Sequence, residues 1–425
     1  MPRPVQTDAP LPAPTQTQSA ARLVATIGAA IGLCIMGDSL MYTILPLQAP
    51  HLGISLPLVG ILLSANRLVR LLSNKWAGGI FERYGTRWPF FASAVVGLLS
   101  TAFYGIPAGF FIFLLARMAW GVAWSGLRQG GYAAIWTGPA TTRGRLTGLL
   151  WGLVRLGSAI GVFAGGLLYD RAGYGAAIAV VVAVGLLAVP IAFLARWPAQ
   201  VHEQTDTPID SKEDAAQVTW SRLAAAAFRT PVHRWLTLGS FFAYLLSGVV
   251  VSTTSVFLAA RFDAGSGILA FGLGIAALTG MIHAARWLAD LALGPLVGWL
   301  SDYIGQANTL GTLGILMLAA LGAASSLPAV AAAFSIFVAL LLDGAMHIVL
   351  SAAASGAALR ADRPHVFVAA FATVSDAGSA LGPLAAFTLA ASVQRLPAVY
   401  ITVSCVLMLV LLQYWRTERS AGIAV

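Results

Sequence analysis

Apolar runs of about twenty residues follow one another along this chain, separated by short polar loops and without the two-residue alternation of strands. As a helix, such a run crosses a hydrocarbon core of roughly 30 Å. The pattern predicts helices near 22–47, 58–80, 88–107, 109–136, 146–169 and 174–196. After a polar break they resume near 233–260, 269–300, 308–327, 330–358, 365–391 and 397–416. Missing alternation argues against a membrane barrel. The predicted fold is therefore an all-α membrane protein with twelve transmembrane helices in two six-helix bundles, 22–196 and 233–416. Residues 1–21 read as a disordered cytoplasmic tail, because prolines 2, 4, 10, 12 and 14 interrupt any helix, and no apolar stretch makes them a signal peptide. Residues 417–425 read as a second cytoplasmic tail. The linker 197–232 carries Glu203, Asp206, Asp210, Lys212, Glu213 and Asp214 and reads as a solvated connector, with a short amphipathic helix around Trp220–Phe228.

Composition supports a membrane class: 58% hydrophobic and 10% charged residues, with mean hydropathy +0.82, against about 25% charged in soluble domains. A net charge of +9 would suggest nucleic acid in a soluble protein. Here the basic residues set orientation instead. Arg83, Arg87, Arg143, Arg145, Arg222, Arg229, Arg234, Arg360, Arg363, Arg416 and Arg419 fall on one side, and only Arg171, Arg261 and Arg395 on the other. The positive-inside rule puts both termini and the linker in the cytoplasm of a multi-pass protein of the plasma membrane, the inner membrane in a Gram-negative cell. Its partners are then the bilayer, a small molecule and a proton, with no nucleic acid, and the chain is expected to work as a monomer. Cys34 and Cys405 lie in apolar runs and read as core residues.

The polar interruptions repeat. Gly78-x3-Glu82-x2-Gly85, followed by Arg87 and enclosing Arg83, becomes Gly298-x3-Asp302-x2-Gly305 after 220 residues. Gly157-x3-Gly161-x3-Gly165 on the fifth helix matches Gly378-x3-Gly382 on the eleventh, and Ala65-Asn66-Arg67 on the second resembles Ala284-Ala285-Arg286 on the eighth. Small residues at every fourth position let two helices approach closely. Three matches at nearly one displacement make the halves structural repeats, related by a pseudo-twofold.

With these motifs the chain resembles the Major Facilitator Superfamily over about 22–416. The loop between helices two and three matches the family signature, with Glu82 in place of the usual Asp. Arg117-x3-Gly121 matches the fourth-helix signature, and Gly157-x3-Gly161-Val162-x2-Gly165 the fifth. Val162 stands where drug antiporters carry proline, a departure from that branch, whereas Gly37-Asp38-Ser39-Leu40 on the first helix resembles it. The resemblance implies two bundles rocking about a central site. It also implies that the loop acid Glu82 latches the bundles in the outward-open state, paired with Arg83, Arg87 or another arginine, in a gate formed by Gly78, Glu82, Arg83, Gly85, Arg87, Gly298, Asp302 and Gly305.

Ionisable residues in mid-membrane cost roughly 2.5–3.5 kcal/mol each on insertion scales unless paired or hydrated. This chain has Arg67, Arg70, Arg117, Arg128, Arg155 and Arg286 against Asp38, Asp290, Asp343 and Asp376, a net of +2. Surplus guanidinium favours an anion. Arg67 and Arg286, one per half, are the expected clamp, similar to the arginine pair of the family's nitrate porters, whose glycine-rich signatures are absent here. Arg70 and Arg155 complete the candidate substrate site. The alternative is that each arginine is paired permanently with an aspartate. Asp38, Asp343 and Asp376 are candidate proton carriers. His283, Arg286 and Asp290 share one helical face, and so do Asp343 and His347. Arg155 and Asp376, at matched positions with opposite charges, suggest mutual pairing or opposing roles. Ser252–Ser255 add hydrogen-bonding capacity or bond back to their own helix, and Trp120, Trp124 and Trp136 either line a pocket for an apolar substrate body or pack against lipid or core. No catalytic group, metal site or cofactor is indicated: G-x-S-x-G, H-E-x-x-H and the phosphate loop of nucleotide-driven pumps are all absent from the sequence.

The resulting expectation is a proton-coupled secondary transporter, not an enzyme, for a small organic anion or amphipathic compound. The antiporter resemblance leans towards export. A multidrug/proton antiporter with structural arginines is the alternative, and a lipid flippase a third reading.

Overall fold

Glycine and proline set most of the helix boundaries in the computed structural model, which describes residues 14–106, 109–198, 220–262, 273–390 and 393–422. Helix α1 spans Pro14–Gln48, α2 Leu56–Tyr84, α3 Arg87–Tyr104 and α4 Gly109–Trp136. Helix α5 spans Arg143–Gly185 and α6 Ala188–Leu194. The second half has α7 (Trp220–Phe228), α8 (Pro231–Ala259), α9 (Ile275–Ile304), α10 (Gln306–Ser326), α11 (Ala329–Leu359), α12 (Pro364–Leu389) and α13 (Leu396–Gly422). Proline opens α2, α8 and α12 within their first two positions, where the missing N–H costs no intrahelical bond. The same tolerance starts α1 at Pro14. Residues 14–21, expected as disordered tail, are helical, and α13 likewise runs past 416 to Gly422. The rest of the expected tails, 1–13 and 423–425, and the charged linker residues 199–219 lie outside the described residues.

Two of these boundaries show the duplication directly. Gly85 ends α2 with φ 75° and Gly305 ends α9 with φ 87°, a conformation L side chains resist. The repeated loop is thus one backbone device used twice. A third such glycine, Gly173 (φ 83°), turns α5 on itself, so the fifth and sixth spans follow without a loop.

With α5 counted as two legs, the second completed by α6, and α7 left out, the described residues form twelve bundle helices, nine stretches of which are long and apolar enough to cross a membrane. Within the first half α1 packs on α5; within the second, α8 packs on α12. The glycine rows make this possible. A Cβ on Gly161 would lie 2.7 Å from Met36 Cα and one on Gly165 2.7 Å from Leu40, while Gly157 faces the Gly32 carbonyl. In the second half Gly382 faces Gly248 and the Leu245 carbonyl at 2.6 Å, and Gly378 faces the Phe241 carbonyl.

The halves meet through α2 against α12 and α5 against α9. Large apolar residues such as Phe111, Leu115, Phe334 and Leu194 remain exposed, as a lipid-facing surface requires. Trp76, Trp88, Trp299 and Tyr303, also exposed, lie near the two repeated loops, where aromatic rings sit at a headgroup boundary. Cys34 is buried in the core, but Cys405 is exposed on α13. An apolar run does not tell a lipid-facing position from a core one, so the core reading fails for Cys405.

Candidate substrate-binding site

The end of the bundle that carries the Gly78–Arg87 and Gly298–Gly305 loops is called the motif face here, and the opposite end the far face. A cavity of about 820 Å³ lies between the halves. Its wall runs from Ser39 and Arg67 at mid-depth to Thr147, Gly148 and Ser351 towards the motif face. Gly148, on the cavity wall, has nothing within 4 Å of a built Cβ, and with the wall reaching Thr147 and Ser351 the cavity opens towards the motif face.

The far face is shut by backbone-close contacts. A Cβ on Gly60 would lie 2.9 Å from the Pro383 carbonyl, and one on Gly166 2.5 Å from the Ala276 carbonyl; Gly280 faces the Val162 carbonyl. Val162, the departure from the antiporter signature, is thus a cross-half contact. Asp170, near the end of the first leg of α5, reaches the first turn of α9. Its carboxylate accepts from Ala276 N at 3.3 Å and Ala277 N at 2.7 Å. These are amides that a helix N-terminus leaves unpaired, and the macrodipole favours an anion there. Pro383 contributes differently. Lacking an N–H, it leaves the Ser379 carbonyl without its helical partner, and Arg67 Nη1 donates to that oxygen at 3.4 Å. Next to it, Leu384 N donates to Ser64 Oγ at 3.1 Å. Among the described residues, the hydrogen bonds between the two bundles lie at mid-depth or towards the far face.

The loop acids are free of the cavity. Glu82 and Asp302 are exposed, and Glu82 forms no ion pair among the described residues. The expected partners are engaged elsewhere: Arg83 lies over Tyr84, and Arg87 donates to the Phe193 carbonyl at 3.1 Å. Among the described residues no side chain of the opposing half forms an ion pair with Glu82.

The charged interior sorts into three centres. At the first, fully buried Arg117 donates to Asp38 at 2.5 Å and to the Leu62 carbonyl at 3.1 Å. Asn66 donates to the same carboxylate at 3.0 Å, and Arg70 stands 4.0 Å away. Gly121, one turn along from Arg117, lies against the Asn66 carbonyl; the R-x3-G spacing lets α4 press on α2 while its arginine reaches α1. At the second, Arg155 of α5 pairs across the halves with Asp290 of α9 at 2.7 Å. The expected Arg155–Asp376 pairing is replaced by this one, and Asp376 forms no ion pair among the described residues. At the third, Asp343 pairs with Arg286, accepts from Ser247 at 2.8 Å, and lies 3.5 Å from His347. The His347 ring stacks on Tyr244 at 3.9 Å between centroids.

Arg67 and Arg286 therefore do not face each other as an empty clamp. Arg286 is taken by Asp343. Arg67 has no carboxylate within 4.0 Å among the described residues; Nε donates to Tyr42 Oη at 3.0 Å, and its guanidinium sits 5.3 Å from that ring's centre. Arg70 lies over Trp124 at 5.1 Å. Among the described residues the buried Nε atoms of Arg70 and Arg286 and Nε2 of His283 have no hydrogen-bond partner; their residues line the cavity, with these atoms themselves shielded from it. Every aspartate on the cavity wall, by contrast, is engaged.

Trp124 lines the cavity, as do Trp151, Trp287, Tyr42 and Tyr244. Trp120 is fully buried and Trp136 is exposed, so neither of these lines it. Ser252, Thr253 and Thr254 bond back to their own helix at 2.7 Å, the local competition expected of these residues.

The sequence model of the Major Facilitator Superfamily matches residues 27–291, well over half of the chain. The chain belongs to the Major Facilitator Superfamily. It is a multi-pass membrane protein and, by family and fold, a secondary transporter. Curated superfamily relatives include the chromaffin granule amine transporter of Rattus norvegicus, 25% identical over 150 residues, 35% of this chain and 29% of that protein. The synaptic vesicular amine transporter of Rattus norvegicus is 28% identical over 156 residues, 36% of this chain and 30% of that one. The match thus spans less than a third of the length of these relatives. Among solved structures, a bacterial homologue of the human lysosomal transporter Spinster, inward-facing and unoccupied, superposes with TM-score 0.73 at 15% identity, covering 94% of this chain and 97% of that one. The nucleoside transporter NupG gives 0.74 at 11%, covering 93% and 99%. The peptide transporter POT in complex with sulfate gives 0.71 at 13%, covering 95% of each. Such identities show the shared fold.

Several site residues escape sequence reading. Tyr42 lies one turn beyond Asp38, and that spacing was a usable signal. Ser247, Tyr244 and the Ser379 carbonyl carry none, because their roles come from tertiary placement. Asp170 shows only as a charge just before a helix break.

Proposed function

We propose that this protein carries a small organic anion across the membrane, with Arg67 and Arg70 as its primary recognition groups. The observation that supports this best is an imbalance of charge pairing at the wall: among the described residues Arg67 has no carboxylate within 4.0 Å, and Arg70 reaches only Asp38, at 4.0 Å, a carboxylate already held by Arg117 and Asn66. A carboxylate or phosphate in the cavity would give both guanidiniums a charged acceptor. Five arginines (67, 70, 117, 155 and 286) stand at or behind this wall against Asp38, Asp290, Asp343 and, within electrostatic reach of Arg67, Asp376, leaving one positive charge. The aromatic lining suits an apolar or aromatic body on the anion.

The positive-inside rule makes the motif face cytoplasmic, so this is the inward-open state of alternating access, in a plasma membrane and as a monomer with its cavity complete in one chain. Asp343 is the favoured proton carrier. Asp38 is clamped by Arg117 and Asn66, whereas a proton on Asp343 would break its pairing with Arg286 and free that guanidinium for the substrate. Linkage then makes proton and anion bind together, which corresponds to cotransport. The export expected from the antiporter resemblance requires the opposite linkage, in which substrate binds only to the deprotonated carboxylate.

A second reading, an organic amine as substrate, is favoured by the names of the vesicular amine transporters. It would use Tyr42, Trp124, Trp151, Tyr244 and Trp287 as cation–π surfaces. Thermal stabilisation of purified protein by anionic and cationic panels separates the two. Stabilisation by anions, lost in Arg67→Gln and Arg286→Gln, supports the first; amine hits indifferent to both substitutions contradict it.

A further inference from the structure

Asp343 is buried, 4% exposed, and does not line the cavity. A proton that reaches it from the cavity needs a route through the wall. Its Oδ2 is occupied, because Arg286 donates to it and so does Ser247 Oγ, at 2.8 Å. Arg286 cannot serve as the route, since a guanidinium does not give up its proton. Oδ1 faces His347, whose Nε2 stands 3.5 Å away, roughly 0.5 Å longer than an N–H···O bond.

His347 touches both sides of that wall. It follows Asp343 by one turn of α11, on the same helical face, and it lines the cavity. Its two nitrogens are inequivalent. Nε2 is shielded and has no hydrogen-bond partner; Nδ1 forms no hydrogen bond among the described residues either, but it is not shielded. One nitrogen is therefore reached from the cavity, while the other meets a buried carboxylate. Tyr244 of α8 holds the ring in this attitude, stacked on it at 3.9 Å between centroids and 18° between planes. Charge around the ring balances. Asp343 is paired with Arg286 of α9, and Asp290 of α9 with Arg155 of α5; these four act on the imidazole electrostatically. Asp376 of α12 acts on Tyr244 behind it.

We propose, resting on the reading of Asp343 as the proton carrier, that His347 passes protons between the cavity and that carboxylate. A cavity proton binds Nδ1 of the Nε2–H tautomer. The imidazolium so formed gives its Nε2 proton to Asp343 Oδ1, and the imidazole left behind is the Nδ1–H tautomer. One proton has moved from water to carboxylate, and the ring is neutral again. Release runs in reverse: Asp343 returns a proton to Nε2, and Nδ1 gives one to the cavity. Loading and unloading through one ring thus restores the starting tautomer in each cycle.

The test needs no substrate: time-resolved infrared spectroscopy of the purified full-length protein after a photochemical pH drop. In the wild type a carboxylic-acid band should rise that Asp343→Asn lacks. His347→Gln should slow that rise about 100-fold, the lower end of what a positioned acid–base group supplies, and keep its final amplitude. His347→Ala should be equally slow, and free imidazole should restore its rate, which a purely structural role would not allow. An unchanged rate in His347→Gln, or a slow His347→Ala that imidazole leaves slow, overturns the relay and leaves Asp343 as carrier. Absence of any Asp343-dependent band removes the carrier, and the relay with it.

Discussion

Asp170→Asn perturbs the closed far face with little change in shape. The carboxylate accepts two backbone N–H groups of α9 at 3.3 and 2.7 Å, and hydrogen bonds to a charged acceptor are worth about 1.5–3 kcal/mol. The amide retains one oxygen, so about 1 kcal/mol of neutral bonding survives, while the charge–dipole contribution of about 0.3–1 kcal/mol is lost. The net is a weakening of the closed far face by about 1–2 kcal/mol. That shifts the equilibrium towards the outward-open state roughly 5- to 30-fold. A reporter stands beside the contact: Ala276 is fully buried against Gly166. In an Ala276→Cys protein with Cys34 and Cys405 changed to alanine, a membrane-impermeant maleimide added outside should label Asp170→Asn faster by that factor. Gly274→Ala should act in the same direction, because its Cβ would run into the Asp170 carboxylate. The two changes together should fall short of additive. An unchanged or slower labelling rate in Asp170→Asn would refute the latch.

Three further outcomes are expected. Asp343→Asn mimics the protonated carboxylate and frees Arg286, so anion affinity, which should rise in the wild type as pH falls, becomes tight and flat with pH; binding isotherms at several pH values check this. Glu82→Gln, at an exposed position in the last turn of α2 that does not line the cavity, should leave the dissociation constant unchanged while moving the inward/outward distribution seen by spin-label distances. Gly157→Ala places a methyl group against the Gly32 carbonyl, and because backbone cannot yield as a side chain can, it should cost about 1–3 kcal/mol, read as a lower Tm.

Much of the fold was legible because its causes are local. Run length, the Gly85/Gly305 repeat and the every-fourth glycine rows each carry their meaning in the sequence, and the structure gives each a geometric reason. Charge balance gives an anion-favouring interior as an expectation, which the proposed function takes up. Pairing was not legible, because it depends on depth and on which helices meet. Arg155 finds Asp290 since α5 packs on α9, and Arg286 finds Asp343 since α9 packs on α11. The Arg67–Ser379 contact depends on a carbonyl that Pro383 leaves unpaired, visible only once α2 is seen beside α12. Cys405 and Trp136 show the matching limit for apolar residues, whose burial a hydropathy pattern in a membrane protein does not report.

The central claim is that the cavity arginines, Arg67 foremost, recognise an anion. Counterflow in proteoliposomes tests it most directly, with a radiolabelled anion identified from the stabilisation panel and wild-type protein compared with Arg67→Gln. Saturable anion exchange in the wild type, with KM raised about tenfold or more in Arg67→Gln as one charge-assisted contact is lost, is the predicted result. Exchange of amines with no exchange of anions, unaffected by Arg67→Gln, would contradict it.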